Sequence, residues 1–203
     1  MKHFIFTRFN LTHPTIGRCV YNNTEWMNHR CQLFEKYTLP GIRQQTCKDF
    51  TVLLAFDEKT PEKYINKYKN EPNIKIIYEY PPDWLKKQGL KGDVLTSRLD
   101  NDDYYMPEFV ELVQKECTRK PLLIDVQGVQ LDRKTGKFYD NGRVSNNSPF
   151  ISLYEDAKDM KTVFFCSHTK MEWHFESVKV PKVLSCMVIH ERNVCNKIVG
   201  SEL

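Results

Sequence analysis

A chain of 203 residues, 40% hydrophobic and 28% charged, has the length and composition of one globular domain that buries a core. Its formal charge of +4 is mild and no lysine- or arginine-rich block is present, so we expect no nucleic-acid partner. No run of ~18 apolar residues occurs, which predicts that no segment spans a membrane. Seven cysteines without a CxxC pair favour reduced thiols and a cytoplasmic location.

The first half of the chain alternates predicted strands with predicted helices. Apolar runs predict strands at residues 3–7, 50–56, 73–78 and 94–99. Helical spacing of apolar residues, or proline at a first helical position, predicts helices at residues 24–37, 40–47, 61–70 and 107–117. This alternation predicts an α/β fold with a parallel, nucleotide-binding first half.

The second half is mixed and rich in predicted hairpins. Strand-like runs lie at residues 122–126, 150–154, 162–165 and 183–189, and a hairpin is predicted over residues 129–139. We expect one domain over residues 1–203, in which residues 1–105 form the nucleotide-binding half and residues 106–203 the other half. The sequence leaves open that this domain is part of a longer protein.

Residues 94–103 are the most informative stretch, because a predicted strand ends there in Asp100, Asp102 and Asp103. Carboxylates this close repel one another unless positive charge lies among them. Mg²⁺ and Mn²⁺ prefer oxygen ligands and often join carboxylates to phosphates. The carboxyl end of a strand is also where open α/β sheets bind ligands. The alternative is a solvated acidic turn before the helix that follows.

Motifs along nearly the whole chain resemble those of the GT-A glycosyltransferases, and most closely those of the rhamnosyltransferase family within the family-2-like group. They lie at residues 6–10, 33–35, 39–40, 45–46, 50–57, 96–103, 148–150, 153–155, 188–190 and 193. The resemblance implies a Rossmann-like GT-A fold, with a mixed, mainly parallel central sheet flanked by helices and a hairpin-rich acceptor half.

The resemblance also implies an activity. The chain would move a sugar, rhamnose or another hexose, from a nucleotide diphosphate sugar with UDP, GDP or dTDP to a hydroxyl of a glycan or glycoprotein acceptor. The implied cofactor is Mn²⁺ or Mg²⁺, because the leaving diphosphate gains negative charge as the sugar departs.

The resemblance assigns metal-site roles to the acidic stretch and to one histidine. Asp102 would ligate the metal directly, Asp100 would lie beside the ribose or the metal, and Asp103 would support them. A histidine at the place of His190 can reach the metal as a further ligand, and imidazole with carboxylates suits Mn²⁺. Alternatively, His190 is a histidine hydrogen-bonded at a strand end. His168 is a weaker candidate for contact with the diphosphate or the acceptor.

Four further residues are assigned to the donor nucleotide. Thr7 and Arg8, at the end of the first strand, would hold the nucleotide, and Asp57 would contact the base or ribose. Asp57 could equally cap the helix that follows it. Arg98 faces the same side of its strand as Asp100, where it could contact a phosphate or only neutralise the acidic cluster.

An inverting transfer also needs a general base, since an alcohol is a poor nucleophile at neutral pH. The candidates are carboxylates of the second half: Glu155, Asp156, Asp159 and Glu172. We favour Glu155 or Asp156, which follow the apolar run 150–154 and would lie at the mouth of the site. An exposed acidic loop explains them just as well.

Two other functions remain open at this point. A nucleotidyl- or phosphotransferase would also use clustered aspartates on an α/β sheet, but no phosphate-binding GxxxxGK[ST] loop follows the first strand. A non-catalytic nucleotide- or carbohydrate-binding module is the second, because fold alone does not establish catalysis.

Overall fold

One nine-stranded sheet forms the centre of the computed structural model, which describes residues 1–11, 23–140, 148–193 and 197–203. In these residues the strands are β1 (Lys2–Arg8), β2 (Thr51–Ala55), β3 (Ile74–Ile77), β4 (Asp93–Arg98), β5 (Tyr104–Tyr105), β6 (Leu122–Asp132), β7 (Phe138–Asp140), β8 (Ile151–Asp156) and β9 (Ser177–Ile189). The helices are α1 (Thr24–Leu33), α2 (Leu39–Arg43), α3 (Glu62–Ile65), α4 (Pro81–Lys86) and α5 (Phe109–Lys115). A π-helical turn, Phe34–Thr38, joins α1 to α2, and 3-10 turns form at Ala157–Asp159 and His168–Trp173.

The strand order in the sheet is β3-β2-β1-β4-β8-β6-β9-β5, with β7 paired to β6. Strands β3, β2, β1 and β4 are parallel, so their carboxyl ends meet at one edge of the sheet, which we call the carboxyl edge. Strand β8 runs antiparallel between β4 and β6, and β9 runs parallel to β6. The predicted α/β fold, parallel in its first half and mixed in its second, is confirmed.

Apolar side chains cover both faces of the sheet. On one face Phe9, Phe34, Phe56 and Tyr68 form an aromatic group, with Phe9 and Phe56 stacked at 4.6 Å between ring centroids. The other face carries a second core that includes Phe6 and the buried Met171. Residues 52–55 of β2 are completely buried, as expected for a strand covered on both sides.

Some predicted elements differ from the structure. Residues 162–165 form turns and no strand, and Thr162 has a positive φ of 73°. The amide of Val163 donates to Thr96 Oγ1 (2.9 Å), which ties this segment to the face of β4 instead of to a strand edge. Pro81, expected to close the third strand, begins α4, where its missing amide hydrogen costs nothing.

Other predictions agree more closely. The hairpin around residues 134–136 is confirmed by the antiparallel pairing of β6 with β7, and Gly136 has a φ of +75° in its turn. Strand β6 is longer than expected because it continues, through register shifts at residues 126–128, alongside β9. The sheet contains strands from both halves of the chain, and the boundary at residue 105 stays a prediction.

No helix in the described ranges is long and apolar enough to cross a bilayer. The free cysteines of these ranges are Cys31, Cys47, Cys117, Cys166 and Cys186. Cys19 and Cys195 lie outside the described residues, and the predicted location stays a prediction.

Candidate active site

The acidic stretch lies at the carboxyl edge, in the middle of the sheet. Strand β4 is flanked by β1 and β8 and ends at Arg98, and the amide of Leu99 still donates to Phe6 O on β1 (3.1 Å). The chain then turns, and the amide of Asp103 donates to Asp100 O (3.3 Å). The three carboxylates therefore follow directly from the central parallel strand.

Asp102 is held by two basic side chains from distant parts of the chain. Its Oδ2 atom accepts a hydrogen bond from Arg30 Nη1 and lies 2.9 Å from His190 Nε2. Arg30 also donates to Asn101 Oδ1 (3.2 Å). The prediction that His190 comes close to the acidic stretch agrees with this geometry. Arg30 was missed, because it lies 72 residues before Asp102 in no recognisable motif.

Asp103 connects the acidic stretch to two other elements. Its Oδ1 atom accepts from the amide of Val188 on β9 (2.9 Å), and Thr38 Oγ1 donates to its carbonyl oxygen (2.8 Å). Burial raises the pKa of Asp103 well above its ordinary value, and the negative charges of Asp102 and Asp100 raise it further. Asp103 thus fixes the turn against β9, with one carboxylate oxygen bound by a backbone amide.

Asp100 forms an ion pair with Arg98, whose Nη2 atom lies 2.9 Å from Asp100 Oδ2. Burial alone would raise the pKa of Asp100, but the positive charge of Arg98, aided by Arg8 and Arg30, lowers it below its ordinary value. The Asp100 charge in turn raises the pKa of Arg98. Arg98 Nη1 also lies 3.1 Å from His168 Nδ1. Arg98 therefore pairs with the acidic cluster, as one alternative held, and its contact with a phosphate stays a prediction.

Aromatic rings line the side of the site next to β1. The Arg8 guanidinium lies 5.1 Å from the ring centroid of Phe164, and Tyr80 stacks on the same ring at 5.7 Å. Phe6 contacts Phe164 from the sheet at 5.3 Å. Phe164, Tyr80 and the Arg8 guanidinium thus form an aromatic, cationic wall, and the fully buried Phe6 backs it with a ring tilted by 54° to that of Phe164. Such a wall suits a base or sugar joined to phosphates.

Asp57 begins the turn after β2. Its Oδ1 atom accepts from the amide of Lys59 (2.9 Å), and its own amide donates to Asn10 Oδ1 (3.1 Å). Asp57 therefore does not cap the following helix, which begins at Glu62 after Pro61, and its carboxylate closes a turn instead. Its place at the end of β2 keeps it at the carboxyl edge, and contact with the nucleoside stays a prediction.

Several buried polar atoms at this edge lack partners. Among the described residues, five buried side-chain polar atoms have no hydrogen-bond partner, and four of them belong to residues at or beside the carboxyl edge: Thr7 Oγ1, His29 Nδ1, Arg30 Nε and Arg98 Nε. Buried polar groups are nearly always satisfied in folded proteins. Their concentration here indicates a place where a polar, anionic ligand supplies the missing partners.

A group of potential metal ligands adjoins Asp102. His29, His190 and Glu191 present ligand atoms that all lie within 4.8 Å of one another. Burial, followed by the positive charge of His190, lowers the pKa of His29, which favours the neutral imidazole that binds metals. Arg133 contacts Glu191 at 3.0 Å and would compete with a metal ion for this carboxylate. No motif marks His29, because only the fold brings α1 beside the end of β9.

Glu155 and Asp156 do not lie where we predicted. Strand β8 is antiparallel to β4, so Glu155 pairs with Val94 and Asp156 with Asp93, at the start of β4. Asp93 lies five residue steps and Val94 four steps before Arg98, which places Asp156 about 17 Å and Glu155 about 13 Å from the carboxyl edge. The expectation that they lie at the mouth of the site is therefore wrong. It assumed that β8 runs parallel to β4.

Glu155 has a structural role instead. Its carboxylate accepts from the amides of Lys161 (3.0 Å) and Thr162 (2.8 Å), and burial raises its pKa. We expect Glu155→Ala to lower the free energy of unfolding by about 1–3 kcal/mol, because two buried amides lose their acceptor. Urea denaturation measures this, and the folded variant should keep its transfer rate. The exposed Asp159→Asn serves as control, and a hundredfold loss of transfer in the Glu155 variant would restore its catalytic candidacy.

Asp125 is the carboxylate that the fold brings to the same face as Arg98. Register pairs Asp125 of β6 with Ile151 of β8 and with Lys179 of β9. Continuing the β4–β8 register by one residue places Arg98 opposite Ile151. Residues in register share a face, so Arg98 and Asp125 lie on one face, two strand spacings or about 10 Å apart. Sequence reasoning overlooked Asp125 because it lies inside an apolar run.

The environment of Asp125 favours its protonated form. The residue is 3% exposed, and its Oδ1 atom accepts from the amide of Val126 (2.9 Å). Burial raises the pKa of Asp125 to about 6, and the nearby charge of Glu172 adds to the rise, whereas Lys179 opposes it. A carboxylate with such a pKa can accept a proton close to neutral pH.

Comparison with known proteins bears on this arrangement. A sequence profile of the family described as "Putative rhamnosyl transferase" matches residues 11–202. The chain belongs to this rhamnosyl transferase family. Membership places it among the glycosyltransferases, as the resemblance of its motifs predicted. In sequence, no protein of curated function matches it.

Two solved structures are similar to this rhamnosyl transferase family member. The structure of residues 1–349 of S. aureus TarS superposes with a TM-score of 0.53 and 13% identity, over 93% of this chain and 60% of that one. A protein described as a "putative nucleotide-diphospho-sugar transferase" from Desulfovibrio desulfuricans G20 gives a TM-score of 0.43 at 9% identity, over 92% of this chain and 80% of that one. The chain thus spans about three fifths of the TarS fragment, and the likeness to that fragment supports the GT-A fold.

Proposed function

We propose that the chain transfers a sugar from a nucleotide diphosphate sugar to a hydroxyl acceptor at the carboxyl edge of β4. The observation that carries the proposal is the set of unpartnered buried atoms, among them Arg30 Nε and Arg98 Nε, beside three carboxylates. Guanidinium groups bind phosphate oxygens well, and a diphosphate would satisfy these donors. Rhamnose is the sugar that the family description favours.

The side chains of the site also fit a divalent cation. Asp100 and Asp102 offer carboxylate oxygens, and His190 offers an imidazole nitrogen 2.9 Å from Asp102 Oδ2. This set of oxygen and nitrogen donors suits Mn²⁺ or Mg²⁺. Such an ion would neutralise charge on the departing diphosphate. Arg30 shares Asp102 Oδ2, so we expect its guanidinium to turn toward the diphosphate when that oxygen binds a cation.

Arg8 and Arg98 would hold the donor from the β1 side. Arg8 lies over Phe164, next to the stacked ring of Tyr80, and Arg98 lies between Asp100 and His168. In this arrangement the aromatic wall would carry the nucleoside, and the guanidinium groups would carry the two phosphates. The sugar would then point from Arg98 across the sheet toward β8 and β6.

Asp125 would act as the general base. It lies on the same face as Arg98, about 10 Å across the sheet, with the buried Ile151 in register between them, so the sugar would lie over Ile151. The acceptor hydroxyl would give its proton to Asp125 while its oxygen bonds to the anomeric carbon. The bond from that carbon to the diphosphate breaks, and the nucleoside diphosphate leaves with the electron pair.

Donor binding tests the proposal without any knowledge of the acceptor. We expect UDP-glucose or dTDP-rhamnose to bind more tightly with Mn²⁺ than with EDTA by at least about tenfold, which is ~1.4 kcal/mol. Isothermal titration calorimetry measures both affinities. The affinity for UTP, the kind of ligand that a nucleotidyltransferase binds, is measured for comparison. Equal affinity with and without the ion would remove the metal from the proposal, and preference for UTP would favour a nucleotidyltransferase.

A further inference from the structure

An indole ring is held in the solvent beside the proposed site. Trp173 is 74% exposed, although it ends a 3-10 turn whose Met171 is fully buried in the core of the sheet face. The nearby Phe165 is 43% exposed. A buried anchor two residues away fixes the backbone, so the ring projects from an ordered segment. An exposed aromatic group of this size often marks a binding surface.

The position of Trp173 relates it to the transfer site. The 3-10 turn begins at His168, whose Nδ1 lies 3.1 Å from Arg98 Nη1. Five residues at about 2 Å each then place Trp173 roughly 10 Å from His168. Its neighbour Glu172 is close enough to Asp125 to raise the pKa of that carboxyl. The indole therefore lies beside the half of the site that the donor leaves open.

The surroundings of the indole are polar. Lys170 Nζ lies 5.7 Å from the ring centroid, and Glu172 and His174 flank Trp173 in the chain. A sugar ring has an apolar face of C–H groups and a rim of hydroxyls. The apolar face suits an aromatic ring, and the hydroxyl rim suits an ammonium and a carboxylate beside that ring. A protein partner would instead favour an apolar centre from which charges are depleted.

We propose that Trp173 is the stacking platform for a carbohydrate acceptor, with Lys170 and Glu172 hydrogen-bonded to its hydroxyls. The inference rests on the proposed function for the direction in which the acceptor lies, and it adds the side chains that bind a carbohydrate acceptor. The platform is within reach of a short oligosaccharide whose reacting hydroxyl lies next to Asp125.

The test separates acceptor binding from donor binding. Release of nucleoside diphosphate from dTDP-rhamnose and UDP-glucose is measured with and without p-nitrophenyl rhamnoside, glucoside and galactoside. We expect Trp173→Ala to raise the acceptor KM about fivefold to tenfold, with a donor Kd like that of the wild type, since only a ring contact is lost. Trp173→Phe should restore most of the affinity. Tyr78→Ala, which removes a 48% exposed ring in the donor half, is the matched control.

A second measurement needs no donor. Methyl glycosides of the same sugars should change the tryptophan fluorescence of the wild type and leave that of Trp173→Phe unaltered. If donor binding fails while the fluorescence responds, the proposed function fails and the carbohydrate site stands. An acceptor KM that is the same in wild type and Trp173→Ala, or no response to any glycoside in either assay, overturns the carbohydrate platform.

Discussion

Replacing Asp102 by asparagine should lower the rate of sugar transfer by at least about a hundredfold. The substitution keeps the shape of the side chain but removes the charge that faces the proposed cation and Arg30. Less stabilisation of the departing diphosphate raises the barrier by several kcal/mol, and each ~1.4 kcal/mol is a factor of ten in rate. Product release at saturating donor, with and without Mn²⁺, measures the effect.

The free energy of unfolding of Asp102→Asn shows whether a lower rate comes from lost catalysis or from a damaged fold. Asp102→Asn relieves repulsion from Asp100 and Asp103 but weakens the pairing of the nearly buried Arg30. The two effects on the free energy of unfolding therefore oppose each other. We expect the free energy of unfolding to change by less than about 2 kcal/mol. The exposed Asp83→Asn on α4 is the matched control. A stable, fully active Asp102 variant would show that catalysis takes place elsewhere.

Replacing Asp125 by asparagine should reduce kcat by about 10²–10⁴-fold while donor affinity stays the same, because the amide cannot accept the acceptor's proton. In the wild type the rate should rise with pH through about 6, the pKa to which burial raises Asp125. Initial rates between pH 4.5 and 8 measure both. A variant with the wild-type rate, or a rate independent of pH in this range, would exclude Asp125 as the base.

The same substitution should stabilise the fold at neutral pH. Below the ordinary value of 3.8 Asp125 is protonated in both states, and between 3.8 and about 6 only the unfolded chain loses the proton. The stability of the wild type therefore falls as pH rises through this range, by up to about 3 kcal/mol. Asp125→Asn lacks this fall and should be more stable at pH 7.5 but not at pH 3.5. Lys179 and Glu172, the charged neighbours of Asp125, are present in both proteins, so the comparison isolates Asp125.

The sequence predicted the parallel half of the fold well because its signals are local. The apolar run that became β2 and the run that became β4 are bounded by polar residues, and each needs only its own composition to be recognised. Residues 162–165 are as rich in β-branched and aromatic side chains, yet they form turns. Their conformation depends on Glu155 and Thr96, which bind their amides from other strands.

The residues of the candidate site likewise divide into those that a local motif marks and those that only the fold brings together. Asp100, Asp102 and His190 were predicted because motifs carry them, and the fold brings Asp102 and His190 together. Arg30 and Asp125 carry no motif, and their importance depends on strand register and on a helix packed across the sheet. The direction of β8 was the decisive unknown. Periodicity marks a strand but not its orientation, so Glu155 was placed at the wrong end.

The place of β4 in the sheet has a consequence for motion. Because β4 is paired on both sides, its hydrogen bonds open only when much of the sheet unfolds, whereas segments outside the strands open locally at a smaller cost. The acidic stretch begins at the end of β4, and Trp173 lies in a segment between strands. The donor side is therefore fixed on the slowest-opening part of the molecule. The backbone at Trp173 is anchored by the buried Met171, but the exposed indole can rotate about its side-chain bonds, which would let one rigid donor site serve acceptors of different shape.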